Sequence, residues 1–132
     1  MNLRQGFLVW TAIGLVPIAL AYGVEPQRSL ESLFDVPIQN VDGKHIFRAV
    51  MGLYLALSAF WIVGACTASL RQAALQSLVV FMAGLAAGRL LSLAVDGMPN
   101  RILLFYLALE LSHGIAGLLL LGRKESPPPT GR

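Results

Sequence analysis

The chain has 132 residues, of which 56% are hydrophobic and 13% charged, whereas soluble domains have about 45–50% apolar and about 25% charged residues. Ten basic and seven acidic side chains are too few to cover the surface of a soluble protein of this size, so the chain requires an apolar solvent. The net charge of +3 is small and the basic residues are scattered along the chain, which argues against nucleic acid as a partner. A single cysteine excludes an internal disulfide, a CxxC redox pair and a cysteine-rich metal site.

Four apolar segments are each long enough to cross the hydrocarbon core, which takes roughly 20 residues of helix. We predict spans at approximately residues 4–24, 46–68, 73–95 and 102–122, within one membrane domain of residues 1–122. The predicted fold is therefore an all-α integral membrane four-helix bundle, with the lipid bilayer as its first expected partner. Trp10, Trp61 and Tyr22 lie toward span ends, where aromatic side chains often anchor a helix at the interface.

The first span has one alternative interpretation, which is a cleaved signal peptide. Arg4, the apolar stretch after it and the "ALA" at residues 19–21 fit that pattern. The run stays apolar through Tyr22 and Val24, which favours a retained span in which Pro17 is a tolerated kink.

The only long loop joins the first two spans and reads "VEPQRSLESLFDVPIQNVDGKH". Pro26 suits the first turn of a short helix, and Leu30, Leu33 and Phe34 would share one face of it. Such a helix is expected to lie in the membrane interface. The alternative is a lid over a cavity between the spans.

Basic residues in the short connections favour an N-in, C-in orientation in the cell inner (plasma) membrane. Five of them then face the cytoplasm: Arg4, Arg71, Arg123, Lys124 and Arg132. Residues 123–132 are polar and proline-rich, and we expect a disordered cytoplasmic tail there.

Two charged residues interrupt the third and fourth spans, and a charge inside the bilayer needs a partner. Met98 lies in the loop that connects the two spans. Arg89 lies nine residues before Met98, and Glu110 lies twelve residues after it. In antiparallel neighbouring helices their heights differ by only about 4–5 Å, which an arginine side chain can bridge. We therefore predict an Arg89–Glu110 ion pair.

Further residues are expected near this pair because they lie at the same depth or share a helical stripe with it. Arg48 enters the same leaflet on the second span, so three charged groups from three helices are expected to converge. The full candidate cluster comprises Arg48, Arg89, Glu110, His113, Ser92, Asp96 and Tyr106. Small residues beside these charges are expected to allow close helix packing, namely Gly52, Gly84, Gly88, Gly114 and Gly117.

The cluster permits several interpretations. It is an ion pair that fixes helix registry, a site for a substrate, lipid headgroup or proton, or a contact with another subunit. Glu110 and His113 have the Glu-x-x-His spacing of di-iron bundles, but those sites need a second such motif and two more glutamates. We therefore expect no metal and no cofactor. Common catalytic motifs are also absent from the sequence, so an enzyme is not favoured.

Three segments, "FRAVMGLYLAL", "GRLLSLAVDGMPN" and "YLALELSHGIAGLLLL", resemble a domain-of-unknown-function family of small four-span bacterial membrane proteins. The resemblance covers roughly Leu8 to Leu121 and excludes the long loop and the tail. Its matching positions are Arg48, Gly52, Gly88, Arg89, Ser92, Asp96, Gly97, Pro99 and Glu110. It implies a fold and a membrane location but no biochemical activity.

The sequence leaves two functions open. The favoured one is a non-enzymatic accessory subunit or assembly factor, which predicts a membrane-protein partner or self-association and a cavity collapsed around the ion pair. The alternative is a lipid- or small-molecule-binding protein with a transport or isomerase-like role. That alternative predicts a cavity open to one leaflet.

Overall fold

The computed structural model describes residues 1–123, so nearly all of the predicted tail lies outside the described residues. Within 1–123 the chain forms five helices and no strand: α1 Leu3–Gly23, α2 Pro26–Phe34, α3 Val41–Cys66, α4 Ala68–Val95 and α5 Arg101–Gly122. All except α2 are long and apolar enough to cross a membrane. The all-α, four-span fold is confirmed, and a short helix is present in the first loop. The orientation and the interfacial position of α2 stay predictions.

Asparagine side chains start three of the long helices by capping their first backbone N–H groups. Asn2 forms a capping box with Gln5, in which Oδ1 accepts from the Gln5 N–H at 2.9 Å. Asn40 accepts from the Gly43 N–H at 2.8 Å, and Asn100 accepts from the Ile102 N–H at 2.7 Å. The remaining long helix, α4, follows α3 after the single residue Thr67, so a very short connection joins these two helices.

The long helices pack in the order α1, α3, α4, α5, and α1 on α3 is the most extensive interface. The backbones of α1 and α5, at the two ends of this order, do not pack on each other, and side chains such as Phe7 and His113 make the contact between them. The short helix α2 packs on α1, α3 and α5 at the end of the bundle that contains the α4–α5 connection. Asn100 supports this arrangement because its Nδ2 donates to the Leu33 carbonyl at 2.8 Å.

Helices pack closely near the α3–α4 turn, in a region that we call the tight end (Trp61, Gly64, Ala74, Ser77 and Gly117), and at one point of the opposite end, where Gly23 of α1 meets Met51 of α3. A Cβ atom on Gly64 would collide with the Ala74 methyl group, and one on Gly117 would lie 2.6 Å from Cγ2 of Val79. Trp61 is fully buried, and its Nε1 donates to Ser77 Oγ at 3.0 Å. Glycine at these positions lets the helix backbones approach closely.

The interpretation of aromatic residues as interfacial anchors is wrong for two of the three. Trp61 is 0% and Tyr22 is 8% exposed, because both rings fill the bundle interior. Only Trp10, at 71% exposure, faces outward as an anchor would.

The predicted packing glycines divide into two groups. Gly117 and Gly114 face α4, and a Cβ on Gly114 would make an ordinary contact with Met82 at 3.6 Å. Gly52, Gly84 and Gly88 have nothing within 4 Å of a Cβ position. These three lie on outward faces, so the helix crossings expected there do not form within residues 1–123.

Candidate functional site in the bundle interior

Arg89 and Glu110 form the ion pair that their spacing predicts. Arg89 Nε donates to Glu110 Oε1 at 2.8 Å and to Oε2 at 2.9 Å. The Glu110 side chain is 7% exposed and that of Arg89 is 22% exposed. A guanidinium has five N–H donors, and the contact with Glu110 uses only one of them. Arg89 can therefore hold Glu110 and still donate to other acceptors.

All three tyrosines of the chain lie near this ion pair, and Arg89 contacts one of their rings. The Arg89 Cζ atom lies 5.7 Å from the centre of the Tyr106 ring, within range of a cation–π interaction. The buried phenols of Tyr22 and Tyr54 are close enough to interact electrostatically with Arg89, and their rings meet edge to face at 5.7 Å. The region around the ion pair and these tyrosines, which we call the polar half of the bundle, is therefore built from α1, α3, α4 and α5 together.

A cavity of about 180 Å³ lies beside the pair, between α1 and α5. Six polar residues line it: Thr11, Tyr54, Arg89, Tyr106, Glu110 and His113. Most of the remaining wall consists of apolar side chains from α1, α4 and α5. The cavity is thus lined both by hydrogen-bonding groups and by hydrocarbon.

The cavity opens toward the outside of the bundle where α1 and α5 separate. Trp10 and Gly14 of α1 line the cavity and are also exposed. Toward the tight end the gap closes, because the Phe7 ring stacks on the His113 ring with centroids 5.9 Å apart. In a bilayer, this opening faces the lipid.

His113 presents a defined nitrogen to its surroundings. Its Nδ1 lies 2.8 Å from the Leu109 carbonyl oxygen, and a carbonyl can only accept a hydrogen bond. Nδ1 therefore carries the proton, and in the neutral ring Nε2 is left as an acceptor. His113 is a hydrogen-bonding member of the cavity wall.

Arg48 does not join this cluster, which corrects the expected convergence of three charges. It is exposed and lines a separate surface pocket with Lys44 and Arg28. The prediction used only depth in the membrane. Arg48 and the buried Tyr54 are six residues apart on α3, which turns their side chains about 120° away from each other.

Ser92 and Asp96 pair with each other rather than with Glu110. Ser92 Oγ donates to Asp96 Oδ2 at 2.7 Å at the exposed end of α4. Ser92 also lines a smaller hollow of about 80 Å³ on another side of Arg89. Neither residue therefore takes part in the ion pair, and Ser92 is the one that lies beside it.

Sequence reasoning did not include Tyr22 and Tyr54 in the cluster. Tyr54 sits in an uncharged apolar run, and a phenol in mid-span usually requires a hydrogen-bonding partner. That requirement was the available signal for Tyr54. For Tyr22, the position near a span end favoured an interfacial role over a buried one.

A family model described as a domain of unknown function, DUF4345, matches residues 3–121. No curated protein and no solved structure matches the chain. The matched range contains three of the long helices in full and α5 up to its last residue, together with the Arg89–Glu110 pair and the residues named around it. This chain is a multi-pass membrane protein that belongs to the DUF4345 family.

Proposed function

We propose that this protein binds a small amphipathic molecule that enters from the bilayer between α1 and α5. The observation that carries the proposal is the cavity beside the Arg89–Glu110 pair, which is open where α1 and α5 separate. A bundle whose ion pair only fixes registry has no need of such a space, since interior voids cost stability.

The chemistry of the wall supports a ligand with an uncharged polar group. Arg89 and Glu110 contribute one charge of each sign, so their charges balance. Arg89 has further N–H donors, whereas the Nε2 atom of a neutral His113 can accept. A hydroxyl or carbonyl group would match this combination of donors and an acceptor.

The volume indicates how much of the ligand is enclosed. A space of about 180 Å³ is smaller than most pockets that enclose a whole drug-sized ligand, which measure about 300–1,000 Å³. The polar group and a short apolar segment fit inside, and the remainder of the ligand would lie among lipid chains outside Trp10 and Gly14.

The test is to purify the tagged protein from native membranes in mild detergent and identify the small molecules that it retains by mass spectrometry. Gly14→Leu should remove the bound molecule, because the new side chain enters the cavity and a Cβ at this position meets nothing within 4 Å. Gly84→Leu is the matched control, since Gly84 is equally open but does not line the cavity. The proposal fails if the wild type carries no molecule or if Gly14→Leu retains it.

A second candidate function is an accessory subunit or assembly factor of a larger membrane complex. The observation that favours it is the outward face of α4, where Gly84 and Gly88 are exposed and leave room for a close helix contact. A partner helix or a second copy of this chain would fill that space.

Affinity purification with protein mass spectrometry distinguishes this second function from the first. Gly84→Leu should release a stoichiometric partner while Gly14→Leu keeps it, which is the reverse of the pattern for the bound molecule.

Both functions assume a plasma-membrane protein with cytoplasmic termini, and reporter fusions at each terminus test that orientation.

A further inference from the structure

A second pocket, of about 500 Å³, lies outside the bundle interior, between α2 and the first turns of α3. Its charged wall residues are Arg28 and Glu31 of α2, Lys44 and Arg48 of α3, and Glu25 just before α2. None of them lines the interior cavity. This interfacial pocket is therefore independent of the proposed function.

The position of the pocket along α3 corresponds to the edge of the hydrocarbon core. α3 has 26 residues and a length of about 39 Å, against about 30 Å for the hydrocarbon. From Ala49 to the end of α3 no residue is charged, and this stretch of helix is about 27 Å long. Lys44 and Arg48 thus lie in the segment that extends into the headgroup region.

The basic groups of the pocket are only partly neutralised. Arg28 Nη1 lies 3.4 Å from Glu25 Oε2 in an exposed pair. Within residues 1–123, neither Lys44 nor Arg48 forms an ion pair with a carboxylate. Three basic and two acidic residues leave one net positive charge in the pocket.

The geometry of α2 adds to this positive character. Its first three residues, 26–28, line the pocket, so the positive end of the helix dipole points toward it. Glu25 makes no side-chain capping hydrogen bond to the first turn. Lys44 and Arg48 are four residues apart and project from the same side of α3.

We propose that this interfacial pocket binds the phosphate group of a phospholipid from the leaflet on the α2 side. Arg48 and Lys44 hold the phosphate oxygens through charge-assisted hydrogen bonds, and the single net charge matches one phosphodiester. Isolated basic side chains near a membrane extend to the headgroups without a defined partner. Here they enclose a concave site together with a helix N-terminus.

Native mass spectrometry of the full-length protein in detergent tests the proposal. The probes are dioleoylphosphatidylglycerol and dioleoylglycerol, which share their acyl chains and differ in the phosphate-containing headgroup. The wild type should retain the phospholipid and not the diacylglycerol. Arg48→Gln should weaken retention of the phospholipid about tenfold, as expected for loss of a charge-assisted hydrogen bond.

Arg101→Gln is the matched control, because Arg101 is an exposed basic residue at the same end of the bundle and lies outside the pocket. It should change retention by less than about twofold, since a distant exposed charge adds little. Equal losses in the two variants, or equal retention of the two lipids, would overturn the proposal.

A further arm adds inorganic phosphate to protein without lipid. Binding of free phosphate that depends on Arg48, with no retention of phospholipid, would assign the site to a soluble anion and overturn the lipid source. Arg48 is exposed, so circular dichroism should show an unchanged helical fold in the Arg48→Gln variant.

Discussion

At the tight end of the bundle, Gly64 and Gly117 bring helices together until no further methyl group fits, whereas in the polar half α1 and α5 stand apart beside a cavity of about 180 Å³. The two regions are held by different forces. Dispersion between small residues and backbone holds the first, and an ion pair with three tyrosines organises the second. The bundle is therefore closely packed at the α3–α4 turn and open to the outside beside its ion pair.

The largest expected effect is in the polar half and comes from breaking the ion pair. Glu110→Leu should lower the free energy of unfolding by about 3–5 kcal/mol, because it leaves the Arg89 charge buried without its partner. Arg89→Leu should cost less, since an unpaired carboxyl group can take up a proton whereas a guanidinium cannot lose one. Unfolding in sodium dodecyl sulfate, followed by circular dichroism, measures both values.

The double replacement of Arg89 and Glu110 by leucine is the control for this prediction. It should recover most of the stability that Glu110→Leu loses, because both charges are then absent. The exchange Arg89→Glu with Glu110→Arg should recover part of it. Losses that simply add in the double leucine variant would mean that the two residues do not stabilise each other.

A smaller effect is expected at the tight end. Gly117→Ala should destabilise the protein by about 1–3 kcal/mol, the usual range for an overpacked interior, because the new Cβ would lie 2.6 Å from Val79 Cγ2. Gly122→Ala on the same helix meets nothing within 4 Å and should leave stability unchanged or slightly raised. If the two variants unfold alike in the same assay, the close packing of α5 on α4 is wrong.

The smallest of these effects concerns the hydrogen bond between Trp61 and Ser77. Trp61→Phe and Ser77→Ala should show a coupling of about 1 kcal/mol in a double-mutant cycle, which is the usual value for one net hydrogen bond. The Nε1 to Oγ distance of 3.0 Å and the full burial of Trp61 are the basis for this value. Zero coupling would mean that this hydrogen bond does not stabilise the fold.

The sequence was sufficient to predict the ion pair because two constraints coincide. Charges within hydrocarbon require partners, and the short α4–α5 connection sets the relative heights of Arg89 and Glu110. Arg48 also lies at a suitable depth in the membrane. Whether its side chain points into the bundle, however, depends on which face of α3 packs against the other helices. A nearly uniform apolar sequence gives little information about that face.

The same limitation explains why the sequence predicted neither which glycines make close helix contacts nor where the cavity lies. Gly84 and Gly88 form the GxxxG pattern, yet they are exposed, whereas the close contact of Gly64 with Ala74 had no motif to mark it. A spanning helix is apolar on its lipid face as well as its packed face. The separation of α1 from α5 therefore emerges only when the helices are assembled.

Photolabelling with a diazirine-bearing octanol tests whether the interior cavity admits molecules from the bilayer. The probe is activated in membranes that contain the full-length protein, and labelled residues are mapped by peptide mass spectrometry. Label should concentrate on cavity-lining residues of α1 and α5, such as Gly14 and Leu109, and Gly14→Leu should abolish that enrichment. Uniform labelling, in which outward-facing residues such as Val80 and Leu119 are labelled as strongly as the cavity-lining residues, would contradict the account.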